Sequence, residues 1–319
     1  MSATATYHVR HQTLYQYSGD VVHSHQLLHL TPRQTPRQKC SEHNIAIRPG
    51  PAHSASDVDA FGNPVLRLEF DRPHHTLSVT AEMTVEVVSV ADRLLKSDAW
   101  ERVRGQLSYS GRPSGADLLE AMRFRVESPH VRIKQAFTAY SAECFPPGRS
   151  VIECAESLNL KLNEDLTYAP GETCVSTSTL EVLEKRRGVC QDYAHLMIAC
   201  LRSRGLAARY VSGYLRTVAA PGATELVGAD ASHAWIAVYC PIAGWVEFDP
   251  TNGVRADTDH ITVAWGRDFS DVSPLRGVIV GGGRHQLSVS VAVIPQPKTP
   301  PAPVQAQIQS QPGQTQSQS

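Results

Sequence analysis

A cysteine at residue 190 in "RRGVCQDYAHLMIACLRSRG" follows a glycine and opens a stretch of helical periodicity. A thiol at a helix start meets unpaired backbone N–H groups and the positive end of the helix dipole, and both favour thiolate over thiol. Burial as a small apolar residue is the competing reading of one cysteine taken alone. A working thiol needs a base to hold its proton and a third group to orient that base. Downstream, "GADASHAWIAVYCPIAGWVEFDPTNG" offers His233 at the start of one strand-like segment and Asp249 near the end of the next.

Chain geometry constrains that pair. If Cys240 closes onto Gly244 through the three residues "PIA", partner numbers along the antiparallel ladder total 484. His233 then faces position 251, and Asp249 is a same-face diagonal neighbour at about 7 Å between Cα atoms, within side-chain reach. A loop longer or shorter by one residue puts the two on opposite faces. His233 is one of fourteen histidines, and Asp249 before Pro250 also suits a simple turn.

The elements that hold these residues follow from periodicity. Residues 190 to 204 place Cys190, Tyr193, Ala194, Met197, Ile198 and Leu201 along one face, with Gly205 as the stop. A second helix is expected over "VIECAESLNLKLNEDL", and strands over "AARYVSGYL", "HAWIAVYC" and "GWVEFDP". Earlier, Tyr7, Val9, His11, Thr13, Tyr15 and Tyr17 alternate, as do Leu77, Val79, Ala81, Met83, Val85 and Val87. With "HNIAIRP" and "VLRLEF" between them, the first 95 residues predict an antiparallel β domain. Residues 96–149 read as a helical connection and 150–294 as the core, ending in the strand "HQLSVSVAVI". Residues 295–319 hold six prolines and eight glutamines and predict a disordered tail.

The totals exclude several classes. Thirty lysines and arginines balance 31 aspartates and glutamates, so no net field draws nucleic acid or an anionic membrane. The longest apolar runs fall short of the roughly 20 residues of a membrane helix. The opening residues lack the apolar core of a signal peptide, and seven irregularly spaced cysteines suit a reducing cytoplasm. No paired zinc ligands, phosphate loop or acidic calcium loop is evident, His195 being one of several lone histidines and "GGGR" a turn, so no metal or cofactor is expected.

Two blocks, "GVCQDYAHLMIACLRSRGLAARYVSGYL" and "GADASHAWIAVYCPIAGWVEFDPTNG", resemble the transglutaminase-like superfamily in its bacterial form. The resemblance continues through "HITVAWGRDFSDVSPLRGVIVGGG". The opening "YHVRHQTLYQYSG" with "DAFGNP" resembles the N-terminal β domain that accompanies this core in bacteria. The implied fold is α+β, a papain-like core with the nucleophile helix packed on an antiparallel sheet. The implied triad is Cys190, His233 and Asp249, and the implied activity is cysteine-dependent acyl transfer on amides of peptides or proteins. Water as acceptor makes the same site a peptidase or amidase; loss of turnover makes it a binding or assembly module. Tyr168 is a candidate oxyanion donor, Gln191 a neighbour of uncertain facing, and Trp235 a candidate wall of the acyl pocket. Each competes with a simpler packing role.

Overall fold

The computed structural model describes residues 3–89, 95–108, 115–216 and 232–297; the glutamine-rich tail lies almost wholly outside them. The chain opens with β1 (Thr4–Leu28), β2 (Gln38–Arg48), β3 (His53–Val58), β4 (Pro64–Phe70) and β5 (His74–Val88). Helices α1 (Trp100–Gln106), α2 (Ala116–Met122), α3 (Gln135–Tyr140) and α4 (Val151–Asp165) follow. Next come β6 (Thr167–Tyr168), α5 (Thr179–Lys185), β7 (Arg187–Gly188) and α6 (Cys190–Ser203). The remainder is β8 (Ala208–Leu215), β9 (Ser232–Cys240), β10 (Gly244–Asp249), β11 (Val254–Arg255), β12 (His260–Gly266), α7 (Phe269–Val272), β13 (Leu275–Gly281) and β14 (His285–Pro295).

The alternation in β1 and β5 produces the expected strands, antiparallel from Thr4 against Val88 to Gln16 against Thr76. Tyr7, Val9, Val79, Ala81, Met83 and Val85 are buried on the shared inner face. The 25-residue β1 is the spine of a seven-stranded sheet in the order β2-β5-β1-β4-β3, with β13 and β14 also on β1. Its first half pairs with β5 and β14 and its last with β4 and β13, the β5 register breaking between Gln16 and Val21. Residues 275–294, assigned from the sequence to the core, therefore return to the first sheet. Alternation identifies a strand but does not name its partner.

A second sheet has the order β11-β10-β9-β8-β12. Ala234, Ile236, Val238, Val246 and Phe248 join the main core, into which α6 also packs, while Trp235 and Ala237 belong to a separate cluster with Val211 and Ala256. Every residue of α6 from Asp192 to Arg202 is buried, not one stripe alone, because α3, α4 and α5 cover the sides that the sheet leaves open. The buried Arg202 guanidinium is satisfied by the carbonyls of Phe124, Val126, Ala208 and Arg267 and by the Ser128 hydroxyl. Helix α4 starts on a capping box in which Ser150 and Glu153 bond each other's backbone N–H.

Side-chain amides join the two sheets. Gln38 accepts from the Thr262 N–H and donates to the Thr262 carbonyl, both at 2.7 Å. Asn63 does the same at Trp265, at 3.0 and 2.8 Å. Each amide satisfies the edge of β12 as a neighbouring strand would. Beside them Trp265 lies between the guanidinium groups of Arg33 and Arg209, at 3.5 and 3.6 Å from the ring centre. Gln38→Ala leaves a buried N–H and C=O of Thr262 unpaired and is expected to cost roughly 1–3 kcal/mol. A lower urea midpoint at unchanged slope checks it.

Candidate active site

The catalytic candidates come from three elements. Cys190 is the first residue of α6 and is half-buried, His233 is the second residue of β9, and Asp249 is the last of β10. The β9–β10 ladder runs from Cys240 opposite Gly244 to Ile236 opposite Phe248, the register that sums to 484. His233 and Asp249 share a face, and His233 Nε2 lies 2.8 Å from Asp249 Oδ2.

Asp249 has no exposed surface. Its Oδ2 also takes the Asn252 amide at 2.7 Å and His260 Nε2 at 3.1 Å, while Oδ1 accepts the N–H groups of Thr251 and Asn252 at 3.0 and 3.3 Å. Burial alone raises a carboxyl, but these donors, His233 and His260 foremost, hold Asp249 well below the usual carboxylate range. The turn reading and the orienter reading of Asp249 are thus both satisfied, one by each oxygen. His260 Nδ1 accepts the Asp257 N–H, so the proton on its other nitrogen points at Asp249.

His233 is nearly buried, which by itself lowers its pKa; bonding to Asp249 and to the Cys190 side chain outweighs this and raises it to about 10. With Nε2 held by Asp249, Nδ1 is left for the sulfur. The imidazole therefore lies between a buried carboxylate and a sulfur at a helix N-terminus.

The turn carrying Cys190 is held by a residue that the sequence reading did not single out. Asp192, the third residue of α6, accepts the Val189 N–H at 2.8 Å and the Thr173 hydroxyl at 2.6 Å. Burial keeps its pKa raised despite these bonds. Gly188 lies so close that an added Cβ meets Asp192 Oδ2 at 2.6 Å, which accounts for a glycine two residues before the thiol. The acid three residues into a helix was the available signal.

Tyr168 is 53% exposed and pairs with Gly188 through the parallel β6–β7 bridge, beside the thiol and not beneath the helix. Partial burial and the nearby Cys190 raise its pKa, so it stays a donor at neutral pH. Gln191 is half-buried on α6 next to Cys190. Trp235, the candidate wall of the acyl pocket, lies beneath the imidazoles. Fully buried, it stacks against His233 at 6.1 Å, meets His260 edge-on at 5.2 Å and donates to Glu247, so it supports the imidazoles from within. Neither spacing nor periodicity shows which strand β12 joins, which hides His260, and Asn252 three residues after Asp249 reads only as a turn residue. His195 is buried away from this cluster, stacked on His130 and accepting the Phe269 N–H. Nitrogen and oxygen atoms of His233, Asp249 and His260 lie within 4.8 Å of one another, close enough for a metal, but hydrogen bonds already engage them.

Comparisons with known proteins agree with this architecture. Residues 7–86 match the bacterial transglutaminase-like N-terminal region, and residues 138–250 match the transglutaminase-like superfamily. An uncharacterized protein of Mycobacterium tuberculosis is 39% identical over 304 residues, covering 92% of this chain and 94% of its own. One from Mycobacterium leprae is 33% identical over 288 residues, covering 89% and 97%. The chain belongs to the transglutaminase-like superfamily. Its fold matches the crystal structure of a candidate cysteine protease from Cytophaga hutchinsonii, with a TM-score of 0.69 at 19% identity over 93% of each chain. A protein-glutamine gamma-glutamyltransferase of Pseudomonas aeruginosa is 38% identical over 77 residues, 24% of this chain and 12% of that protein.

Because its folded pKa is depressed, Asp249 contributes stability that is present above its unfolded value near 4 and lost as pH falls. The stability gap between wild type and Asp249→Asn is therefore expected to be largest at pH 7 and to shrink below pH 4, measured by urea unfolding across pH.

Proposed function

We propose that this protein is a cysteine-dependent acyltransferase acting on amide bonds of peptides or proteins, with Cys190 as nucleophile, His233 as acid–base and Asp249 as orienter. The observation that carries the proposal is His233, bonded to a fully buried carboxylate on one side, with the Cys190 side chain near enough on the other to help raise its pKa. Membership of the transglutaminase-like superfamily supports the coarser reading of a cysteine-dependent enzyme.

In the first half-reaction the Cys190 thiolate attacks the amide carbonyl, and His233 gives its proton to the nitrogen as the C–N bond breaks. A thioester and a free amine result. In the second, His233 takes the proton of an incoming nucleophile as that atom attacks the thioester, releasing the acyl group and restoring the thiolate. Asp249 keeps its charge throughout and stabilises the imidazolium. The Cys190 backbone N–H, at a helix position without an intrahelical acceptor, is aimed at the developing oxyanion. Tyr168 supplies the second donor, on the strength of its exposed position beside the thiol. His260 and Asn252 act as positioning residues through Asp249.

The acceptor favoured here is a primary amine, in keeping with the local similarity to a gamma-glutamyltransferase. A reducing compartment is part of the proposal, since all seven cysteines are free and the reaction needs a thiol.

The test profiles peptide amides with wild type, Cys190→Ala and His233→Ala, with and without a labelled amine. Amine incorporation by wild type, its absence in Cys190→Ala and a roughly 10²–10⁴-fold fall in kcat/KM for His233→Ala are expected. Release of free acid alone identifies a hydrolase. Iodoacetamide is expected to modify Cys190 ahead of the buried thiols Cys144, Cys154, Cys200 and Cys240; equal rates overturn the nucleophile assignment.

A further inference from the structure

The outer face of the seven-stranded sheet carries a cluster of side chains with no part in the chemistry above. His23 and His25 are two residues apart on β1, so both rings project from one face. The β1–β4 register sets Glu69 directly opposite His25, and the β3–β4 register sets the exposed His53 directly opposite Glu69 on its other side. Directly paired residues of an antiparallel ladder share a face. Three imidazoles and a carboxylate are thereby drawn onto one patch by strand register alone.

The side chains converge. His23 Nε2 and His25 Nε2 lie 3.0 Å apart, His23 Nε2 and Glu69 Oε1 are 4.0 Å apart, and the three ligand atoms fit within 4.8 Å. A metal bonding two imidazole nitrogens at about 2.0–2.1 Å needs them roughly 3.0–3.4 Å apart for angles near 90–110°. The histidine pair already has that spacing. Glu69 closes the third position by rotating an accessible side chain, since the His23 and Glu69 side chains are 41% and 37% exposed. Two histidines and one carboxylate are a common zinc donor set, and imidazole ligands select zinc and its neighbours over calcium or magnesium.

We propose that His23, His25 and Glu69 form a binding site for a divalent late first-row transition metal, Zn²⁺ by chemistry, with His53 as the fourth ligand across the sheet edge. Such an ion bridges β1, β4 and, through His53, the edge strand β3, every residue of which is exposed. Its role is that of a clamp on the sheet, independent of the thiol chemistry.

Tag-free full-length protein, stripped with chelator, is titrated with Zn²⁺ by calorimetry and with Co²⁺ by visible absorption. One equivalent bound with tetrahedral Co²⁺ bands and a melting midpoint raised by a few degrees is the expected result. His25→Ala and Glu69→Gln, both at accessible positions, should each weaken binding at least tenfold while leaving thiol alkylation at Cys190 unchanged. His53→Ala should weaken it less and shift the Co²⁺ spectrum by exchanging nitrogen for water. Absence of stoichiometric binding overturns the site. Binding that survives in His25→Ala but disappears in His260→Ala also overturns it, because the ion then sits at the Asp249 cluster.

Discussion

A carboxylate with no solvent contact has to be satisfied from within, and Asp249 is the group around which this molecule is arranged. Five donors from four residues reach it: two imidazoles from β9 and β12, the Asn252 amide, and the backbone of the turn that follows. Each can do so only if β9 and β10 keep their register and β12 stays where the amides of the other sheet hold it. The charge that fixes His233 thus also ties together strands far apart in the chain. An unsatisfied charge at this depth costs several kcal/mol, so the register is enforced by electrostatics as well as by apolar burial.

Much of that site is legible in the amino-acid order because its determinants are local. A three-residue connection fixes the β9–β10 ladder, and a helix start fixes the environment of residue 190. Positions that depend on which distant segments meet are not legible. His260 occupies a strand whose partner, β8, lies some fifty residues earlier, and nothing in "HITVAWG" points to Asp249. The same limit hides the destination of β13 and β14: "HQLSVSVAVI" announces a strand, yet only the assembled β1 shows it an empty flank. Trp235 illustrates a different limit. Parity places it with His233 correctly, but parity cannot say whether that face is open or packed over, and here the His260 ring and the Trp245 and Trp265 side chains pack on it.

The first sheet matters to the chemistry through position and not through contact with the thiol. Gln38 and Asn63 reach across to β12, while Arg33 stacks on Trp265 from the opposite side to Arg209. The hydroxyl of Tyr7, on β1, donates to Asp259, next to His260. Separating the two sheets would therefore release the strand that carries the second imidazole.

The two amides on β12 have one more consequence. An extended chain in search of backbone partners finds those of Thr262 and Trp265 already taken, so this border is closed to strand addition, whether by a substrate or by a second copy. At the opposite border the two-residue β11 covers β10 only at Phe248 and Asp249. The amides thereby keep the strand that carries His260 from a guest that would pull it out of register with β8.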